Sequence, residues 1–429
     1  MPWQTVGMGP LDQRESLRVV TTLPELMAAL DSPSVEIITI AGTITGVPTI
    51  RLAKGKILNA RNPNAILVFA KGSDGLQLTA DNEVRDLQLK ADDSQRSIFN
   101  DLTIDSLGKI VLSNLRVTGR VQLLGKDKVK TGDVEIDGLD ILSADARACM
   151  ERPHGFGVHV LQGAFTLWNM QEAADSVITA RLKGISAGRE DAPVLGSGVF
   201  VSGAGFEKSG MVHISLLETE AIYSNGMIAA GTPDLITGGV FTVYGVYARQ
   251  VINEGPVVTY GVNDMVLDNW GTVHEWIARK KISSSGASGI GFVNFGFTDK
   301  LILHAPIETS GKGARGFNVY EGTVNYCEFD RIITRADGAV GVQIGQPIGT
   351  LKIRNGIETF GGTGDSLVKG VITPLSAIGL SVKPGGSAKE VIIDGGIITH
   401  GEGIAPIEIL GDIQSLKITG SVRTGTKKN

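Results

Sequence analysis

The sequence is poor in several residue types that mark other classes of protein. Only two of its 429 residues are cysteines, Cys149 and Cys327, which is too few for a disulfide framework and favours two buried free thiols over a bridge or a catalytic thiol. Aromatic residues make up 5% of the chain. No apolar run approaches about 18 residues, the length that a membrane span needs, so we predict no membrane partner. The net charge of −5 argues against a nucleic-acid partner, which requires a basic face.

The N-terminus and the histidines also lack familiar patterns. No basic segment followed by an apolar segment is present, so the sequence as given favours a cytoplasmic location, with a removed leader or another export route as the alternative. His154 and His159 are five residues apart, and on a strand they would point to opposite faces. We therefore predict no metal site, and no nucleotide or other cofactor motif is present.

The chain is rich in glycine, at 57 positions, and its C-terminal part repeats itself. Repeats must be weighed first, because they decide the architecture. The first four copies start 25 residues apart, as do the last two, and the copies begin at Ile282, Ile307, Ile332, Ile357, Ile397 and Val422. The step from 357 to 397 is 40 residues, so one coil there carries 40 − 25 = 15 extra residues, which predict a loop insertion near 366–388.

Each copy combines short strands with tight bends. Leu351 and Ile353 alternate with polar residues, as expected for a strand with one buried face. The glycines that recur at one offset are expected where the chain turns with a permissive φ, and they are Gly286, Gly311, Gly361 and Gly401. Leucine-rich repeats would show an LxxLxLxxN signature, and propeller blades would be longer. The pattern predicts an all-β fold, a single-domain right-handed parallel β-helix.

The N-terminal end of this solenoid carries a predicted cover. Thr22 and Glu25 form a capping box, and a helix over about 23–30 would present an apolar stripe that includes Leu26 and Leu30. We therefore divide the chain into an N-terminal segment with a capping helix, residues 1–34, and a β-helix, residues 35–429.

The succession of VTTLPELMAAL, IITIAGTITG and SNLRV-type strands resembles the opening of pectate-lyase-like β-helix proteins. That superfamily includes lyases, glycoside hydrolases, intramolecular fructotransferases, epimerases, tailspikes and autotransporter passengers. The resemblance implies a carbohydrate-facing groove and, by fold analogy, a homotrimer. The WIDH-type strand and RxPxxR motif of pectate lyases and the NTD and GHG motifs of polygalacturonases are missing, so no catalytic residue is carried over.

Candidate site residues cluster in 244–276. The chain has 6 Tyr and 4 Trp, and five of these ten residues lie in this stretch beside several carboxylates. Sugars stack on aromatic planes, and glycosidic cleavage uses two carboxylates. The predicted substrate-binding residues are Tyr247, Arg249, Tyr260, Trp270, His274 and Trp276. The predicted catalytic residues are Glu220, Glu254, Asp264, Asp268 and Glu275. Asp268 or Asp264 would face a carboxylate one or two coils away, such as Glu220 or Glu254. The alternative is that these aromatic residues fill a bulged coil or a subunit interface.

A second group of polar residues, Asn318, Gln343 and Glu408, shares one outward offset in later coils. Such a ladder would line a groove or, as the alternative, form a plain solvated face.

Two functions are consistent with these patterns. The first is an enzyme that cleaves or intramolecularly transfers a glycosidic bond of an oligo- or polysaccharide, with chemistry on a neutral glycan favoured over a uronate lyase. The second is a non-catalytic β-helix for glycan binding, adhesion or assembly.

Overall fold

The computed structural model describes residues 16–155, 157–205 and 208–424. These residues form a single-domain parallel β-helix, and the predicted all-β fold is confirmed.

Short strands follow one another along the described chain, interrupted by one helix. The first elements are β1 (Leu17–Val20), α1 (Leu23–Asp31), β2 (Ile37–Ile40), β3 (Thr43–Val47), β4 (Ile50–Arg51), β5 (Ile57–Ala60), β6 (Ile66–Phe69), β7 (Leu76–Leu78), β8 (Glu83–Arg85), β9 (Gln88–Lys90), β10 (Arg96–Asn100), β11 (Ser106–Thr118), β12 (Arg120–Gly125) and β13 (Thr131–Ser143). The central elements are β14 (Met150–Glu151), β15 (His159–Leu161), β16 (Gly163–Asn169), β17 (Val177–Ala187), β18 (Val194–Leu195), β19 (Ser197–Ser202), β20 (Met211–Asn225), β21 (Leu235–Thr242), β22 (Val246–Asn253), β23 (Val257–Thr259), β24 (Asp264–Asn269), β25 (Thr272–Ala278), β26 (Ile282–Ser284), β27 (Ile290–Asn294) and β28 (Phe297–Leu303). The last elements are β29 (Ile307–Thr309), β30 (Arg315–Val319), β31 (Thr323–Phe329), β32 (Ile332–Thr334), β33 (Val340–Ile344), β34 (Pro347–Ile353), β35 (Ile357–Thr359), β36 (Thr363–Val368), β37 (Val371–Ser376), β38 (Leu380–Val382), β39 (Ser387–Ile393), β40 (Ile397–Thr399), β41 (Ile407–Ile409), β42 (Asp412–Ile413), β43 (Leu416–Ile418) and β44 (Val422–Thr424).

Two long sheets wrap around one core. Sheet B has 15 strands, which are β4, β7, β10, β12, β14, β15, β16, β19, β21, β24, β27, β30, β33, β38 and β41. Strands β36 and β37 form a separate hairpin, and the other 27 strands form sheet A. A typical coil runs from β24 in sheet B to β25 and β26 in sheet A, and sheet A bends between those two strands.

The repeating positions stack in register, as the sequence pattern predicts. Leu301 pairs with Cys327, which pairs with Leu351 and then Val391, and all four are buried in the interior. Because every coil places its apolar residues at the same offset, each layer of the core packs on the next.

The recurring glycines have a different cause from the one expected. Gly286 and Gly311 do not adopt positive φ angles. A β-carbon on Gly311 would instead lie 1.8 Å from the carbonyl oxygen of Gly286, and Gly361 and Gly401 have similarly close backbone neighbours in the preceding coil. The expectation of a permissive φ at this offset is therefore wrong, and the close stacking of successive coils is what requires glycine.

Helix α1 covers the first coil. The Thr22 side chain accepts a hydrogen bond from the Glu25 backbone, and the Glu25 carboxylate accepts one from the Thr22 backbone, which forms the predicted capping box. Leu26 and Leu30 are buried against the core. Within the described ranges no helix is long and apolar enough to span a membrane.

The inserted residues form the hairpin of β36 and β37, which lies over the outer face of sheet B. The chain rejoins sheet B at β38, so the hairpin occupies Thr363–Ser376, earlier than the predicted 366–388. Hydrogen bonds from Ser366 Oγ to the Gly313 carbonyl and from the Leu367 backbone to Ser288 Oγ hold the hairpin against the coils.

Candidate functional site

A long polar depression, which we call the acidic groove, runs along the bend of sheet A. It consists of two cavities of about 950 Å³ and 370 Å³ that share Glu190, Tyr223, Pro256 and Lys281. Its side chains are mostly charged or hydroxylated, and they include Asp140, Ser186, Arg189, Asp191, Glu220, Glu254, Lys280, Ser283, Ser285, Glu308, Ser310 and Arg335.

The floor of the acidic groove is built from one outward position in successive coils. Tyr223 pairs with Val258, Val258 with Ser283, and Ser283 with Glu308. Neighbouring strands are about 4.8 Å apart, so these four positions span roughly 15 Å along the solenoid. The floor is therefore long enough to contact an extended chain rather than a single small molecule.

Two of the predicted catalytic carboxylates meet at one end of this groove. Glu220 and Glu254 follow the paired residues Thr219 and Asn253, so they occupy neighbouring coils. The backbone of Glu254 donates a hydrogen bond of 2.8 Å to the Thr219 carbonyl. Glu220 is exposed, whereas Glu254 is half-buried and forms a 2.8 Å ion pair with Arg279.

Two tyrosines line the acidic groove, Tyr223 on its floor and Tyr260 beside it. The Tyr260 hydroxyl donates a 2.9 Å hydrogen bond to the Glu190 carbonyl. Burial raises the pKa of Tyr223 and of Tyr260, and the nearby charge of Glu190 raises both further. Both hydroxyls therefore keep their protons: Tyr260 donates its own to the Glu190 carbonyl and can accept from a ligand, and Tyr223 can donate to one.

The loop that carries Glu190 is held in place by Asp140. Arg189 Nη2 lies 2.8 Å from Asp140 Oδ2, and Ser186 Oγ donates a 2.7 Å bond to Asp140 Oδ1. Although burial alone would raise the pKa of Asp140, these hydrogen bonds hold it below its ordinary value. Asp140 is thus a charged anchor for one side of the groove.

A second concave region, which we call the aromatic cavity, lies on the outer face of sheet B beneath the hairpin. Its volume is about 560 Å³. The residues that line it are mostly apolar, and they are Gly155, Gly157, Val158, Pro233, Ile236, Tyr244, Met265, Asp268, Trp270, Ile290, Val293, Phe295, Tyr320, Glu321, Gly322, Leu367, Lys369 and Gly370.

One wall of the aromatic cavity is a ladder of rings from three successive coils. Trp270 and Phe295 stack with centroids 3.7 Å apart, and Phe295 lies 5.1 Å from Tyr320. Each ring follows the last residue of a sheet B strand, where Asn269 and Asn294 bond to each other at 3.2 Å and fix the turn. The stacking leaves ring edges, rather than the faces between Trp270 and Phe295, toward the cavity.

Asp268 lies in the wall of this cavity and is fully buried. Within the described residues, neither of its carboxyl oxygens takes part in a hydrogen bond of normal geometry. Burial raises the pKa of Asp268 well above its ordinary value, and the Trp270 side chain offsets this only in part. Asp268 is in a separate region from the Glu220–Glu254 pair, since it does not line the acidic groove.

Asp264 has a structural environment. Its carboxyl accepts hydrogen bonds from the Thr237 hydroxyl, from the Gly261 backbone at 2.7 Å and from the Gly226 backbone at 3.4 Å. Asp264 is fully buried and ties the turn before β24 to β21 and to the residue that follows β20. These contacts occupy both carboxyl oxygens without a ligand.

We expect Asp264 to make the stability of the protein depend on pH. Burial raises its pKa from 3.8 to about 6. The pKa of Asp264 is higher in the folded state than in the unfolded state, so its contribution to the free energy of unfolding is fully present below about pH 4. That contribution is lost as pH rises through about 6. A difference of two pKa units corresponds to about 3 kcal/mol. Denaturant unfolding between pH 4 and 7.5 should show this decline, and Asp264→Asn should flatten it. An equal pH dependence in both proteins would contradict the assignment.

The remaining predicted residues lie elsewhere. Trp276 faces the interior, where its indole donates a 2.9 Å bond to Asn253 and its ring meets Phe292 at 5.2 Å. Glu275 lies on the outer face of sheet A and bonds to Gln250 at 2.7 Å and to Lys300 at 3.1 Å.

Three further predicted residues line a shallow depression on the same outer face of sheet A. This depression has a volume of about 430 Å³ and contains Tyr247, Arg249, His274 and His213. The ring of Tyr247 packs edge-on against His213 at 5.5 Å. The structure therefore divides the predicted residues among the acidic groove, the aromatic cavity, this depression and the core.

Sequence reasoning missed the groove residues Asp140, Glu190, Tyr223 and Glu308. The aromatic-rich stretch 244–276 contains none of them, because the groove is assembled from single positions in many coils. The signal that could have found Tyr223 is its place two residues before the end of β20, which matches Val258 and Ser283 in the next coils.

The polar ladder of later coils has the predicted register but not a solvated surface. Asp268, Val293, Asn318, Gln343, Ser381 and Glu408 pair in sequence. Asn318 is fully buried and Gln343 nearly so.

Comparison of the chain with models of protein families, with curated proteins and with solved structures finds no match.

Proposed function

We propose that the protein cleaves or intramolecularly transfers a glycosidic bond of a neutral oligo- or polysaccharide that lies in the acidic groove. The observation that carries this proposal is the pair of carboxylates, Glu220 and Glu254, at one end of a groove lined by tyrosine and serine hydroxyls. The β-helix architecture and the resemblance to pectate-lyase-like proteins support the same class of ligand.

The environments of the two carboxylates suit different roles. Glu254 is half-buried and paired with Arg279, which suits the charged carboxylate that acts as nucleophile or base. Glu220, the other member of the pair, is assigned the role of the acid that protonates the departing oxygen. Retaining enzymes place the two carboxyl groups about 5–5.5 Å apart, and inverting enzymes about 6.5–9.5 Å. Glu220 and Glu254 lie in neighbouring coils, and the anomeric configuration of the product distinguishes the two geometries.

A retaining geometry is compatible with intramolecular transfer as well as with hydrolysis. The nucleophile would form a covalent bond to the anomeric carbon as the glycosidic oxygen leaves with the proton from the acid. Water or a hydroxyl of the same sugar chain would then displace the carboxylate and give its proton back to Glu220. The products distinguish the two outcomes.

The charge of the groove favours a neutral substrate. Six of its side chains are carboxylates, Asp140, Glu190, Asp191, Glu220, Glu254 and Glu308, and four are cations, Arg189, Lys280, Lys281 and Arg335. Lys281 and Glu308 neutralise each other at 2.5 Å, so the balance of these side chains stays negative. A polyuronate would meet a net repulsive field.

Non-catalytic glycan binding is the second candidate. The ion pair between Glu254 and Arg279 favours it, because a carboxylate that is held by a guanidinium is a weaker nucleophile or base.

A panel of neutral and acidic oligosaccharides separates these functions. The protein is incubated with each glycan, products are analysed by chromatography and mass spectrometry, and binding is measured by calorimetry. New products from a neutral glycan are expected, with a mass increase of one water for hydrolysis and with none added for intramolecular transfer. Binding without products would favour the second candidate, and exclusive action on uronates would contradict the proposal.

A further inference from the structure

The aromatic cavity contains an acidic group that the proposed chemistry does not use. Asp268 is fully buried in the cavity wall, between Phe241 of the preceding coil and Val293 of the next. Its surroundings are apolar or aromatic. The Trp270 side chain offsets its burial only in part, and within the described residues neither carboxyl oxygen has a hydrogen bond of normal geometry. An ionised carboxylate at this position is costly unless a counter-charge is present.

The two ends of the cavity differ in charge. At the end away from Asp268, Lys369 Nζ and the Arg315 guanidinium each lie 5.7 Å from the centroid of the Tyr320 ring. Lys369 pairs with Glu321, and Arg315 donates a 3.1 Å hydrogen bond to the Leu367 carbonyl. Tyr320 is two coils beyond Trp270, roughly 10 Å along the solenoid, so these cations are remote from Asp268.

We propose that the aromatic cavity binds a small organic monocation, an ammonium group on an apolar or aromatic body, with the ammonium at Asp268. The ammonium supplies the counter-charge that the carboxylate lacks, and the walls formed by Met265, Ile290 and Val293 bury the body. The volume of about 560 Å³ falls within the range of sites for small molecules. Lys369 and Arg315 repel a second positive charge, which limits the ligand to one.

Other ligand classes fit the cavity less well. An anion would meet the buried carboxyl of Asp268 at one end, and at the other end Lys369 is already paired with Glu321. A sugar would require ring faces and many hydrogen-bonding partners, whereas Trp270 and Phe295 cover each other at 3.7 Å and most of the lining is apolar. The site is therefore separate from the glycan groove, and its ligand does not depend on the glycan proposal.

Occupancy by a cation should be linked to a proton. Because burial raises the pKa of Asp268, formation of an ammonium–carboxylate pair at this position is coupled to loss of the carboxyl proton. Binding should therefore release a proton and strengthen as pH rises. The other titratable groups that line the cavity are Tyr244, Tyr320, Glu321 and Lys369, and Arg315 lies beside the Tyr320 ring.

Calorimetric titration with simple probes tests the proposal. Benzylamine, cyclohexylamine and benzyltrimethylammonium are the cations, benzyl alcohol is the neutral probe, and benzoate is the anion. We expect at least one cation to bind and to do so more tightly than the neutral and anionic probes. For the two amines and the quaternary ion alike, titration in two buffers of different ionisation enthalpy should show proton release by the protein.

Asp268→Asn keeps the shape of the side chain and removes its charge, so it should weaken cation binding by at least about tenfold, because one partner of a buried charge pair is lost. Asp137→Asn is the matched control, since Asp137 is exposed and 3.8 Å from Lys183 on sheet A; it should bind as the parent protein does. Circular dichroism verifies that both variants are folded. The proposal is overturned if no cation binds at millimolar concentration, if benzyl alcohol or benzoate binds as tightly, or if folded Asp268→Asn retains full affinity.

Discussion

Replacing Glu254 or Glu220 with glutamine should reduce turnover of the neutral glycan by roughly 100- to 10,000-fold, the range expected for loss of an acid or base group. Each substitution keeps the shape of the side chain and removes only its charge. Neither residue is buried in the core, so the free energy of unfolding should change little. Product formation under saturating substrate, measured beside a denaturant unfolding curve, separates chemistry from stability.

Glu275→Gln is the control for this experiment. Glu275 lies on β25, in the coil after the one that carries Glu254. Its side chain bonds to Gln250 and Lys300 on the outer face of sheet A. We expect this variant to keep full activity. Full activity in both Glu220→Gln and Glu254→Gln, with loss in Glu275→Gln, would place the chemistry on the face of sheet A instead.

Replacing Phe317 with alanine should lower the free energy of unfolding by about 3–5 kcal/mol, the usual cost of truncating a buried phenylalanine. Phe317 is fully buried, and its ring lies 4.8 Å from Phe329 and 6.1 Å from Phe292. Alanine would leave a cavity that the backbone cannot close, because the strands on both sides are fixed by the ladder of β27, β30 and β33.

Phe360→Ala provides the comparison for the core. The Phe360 ring stacks on His400 at 4.3 Å but is 38% exposed. Its loss should cost far less than the loss of Phe317. Equal effects of the two substitutions on denaturant unfolding would show that the interior of the coils is not the main source of stability.

The sequence was most informative where each coil repeats the environment of its neighbours. Leu351 and Val391 face the same layers above and below, so a spacing of 25 residues, or of 25 plus an insertion, predicts their register. The step from Glu220 to Glu254 is 34 residues, so the spacing of 25 does not by itself predict that these two residues occupy neighbouring coils. The repeat therefore predicts the register of the core positions better than it predicts the groove.

Proximity in sequence was a poor guide to a shared surface. Glu275 and Trp276 are adjacent on β25, and adjacent residues of a strand point to opposite faces. Glu275 therefore faces outward and Trp276 faces the core, and the two cannot line one groove. The alternation of side chains along a strand is by itself enough to separate them.

The position of the β36–β37 hairpin over sheet B could not be derived from sequence. The repeat locates an insertion, but the direction in which it leaves the coil depends on contacts such as those of Ser366 with Gly313 and of Leu367 with Ser288. Because the hairpin covers sheet B, Asp268 and Asn318 are buried rather than solvated. The aromatic cavity arises from this cover, and no single stretch of sequence encodes it.

The most direct test of the proposed function is a crystal structure of the Glu254→Gln variant with a bound neutral oligosaccharide. We expect the glycan to extend along Tyr223, Val258, Ser283 and Glu308, with Tyr260 beside it and one glycosidic oxygen within hydrogen-bonding distance of the Glu220 carboxyl. A glycan bound instead in the aromatic cavity, or over Tyr247 and Arg249 on sheet A, would contradict the assignment of the acidic groove as the site of chemistry.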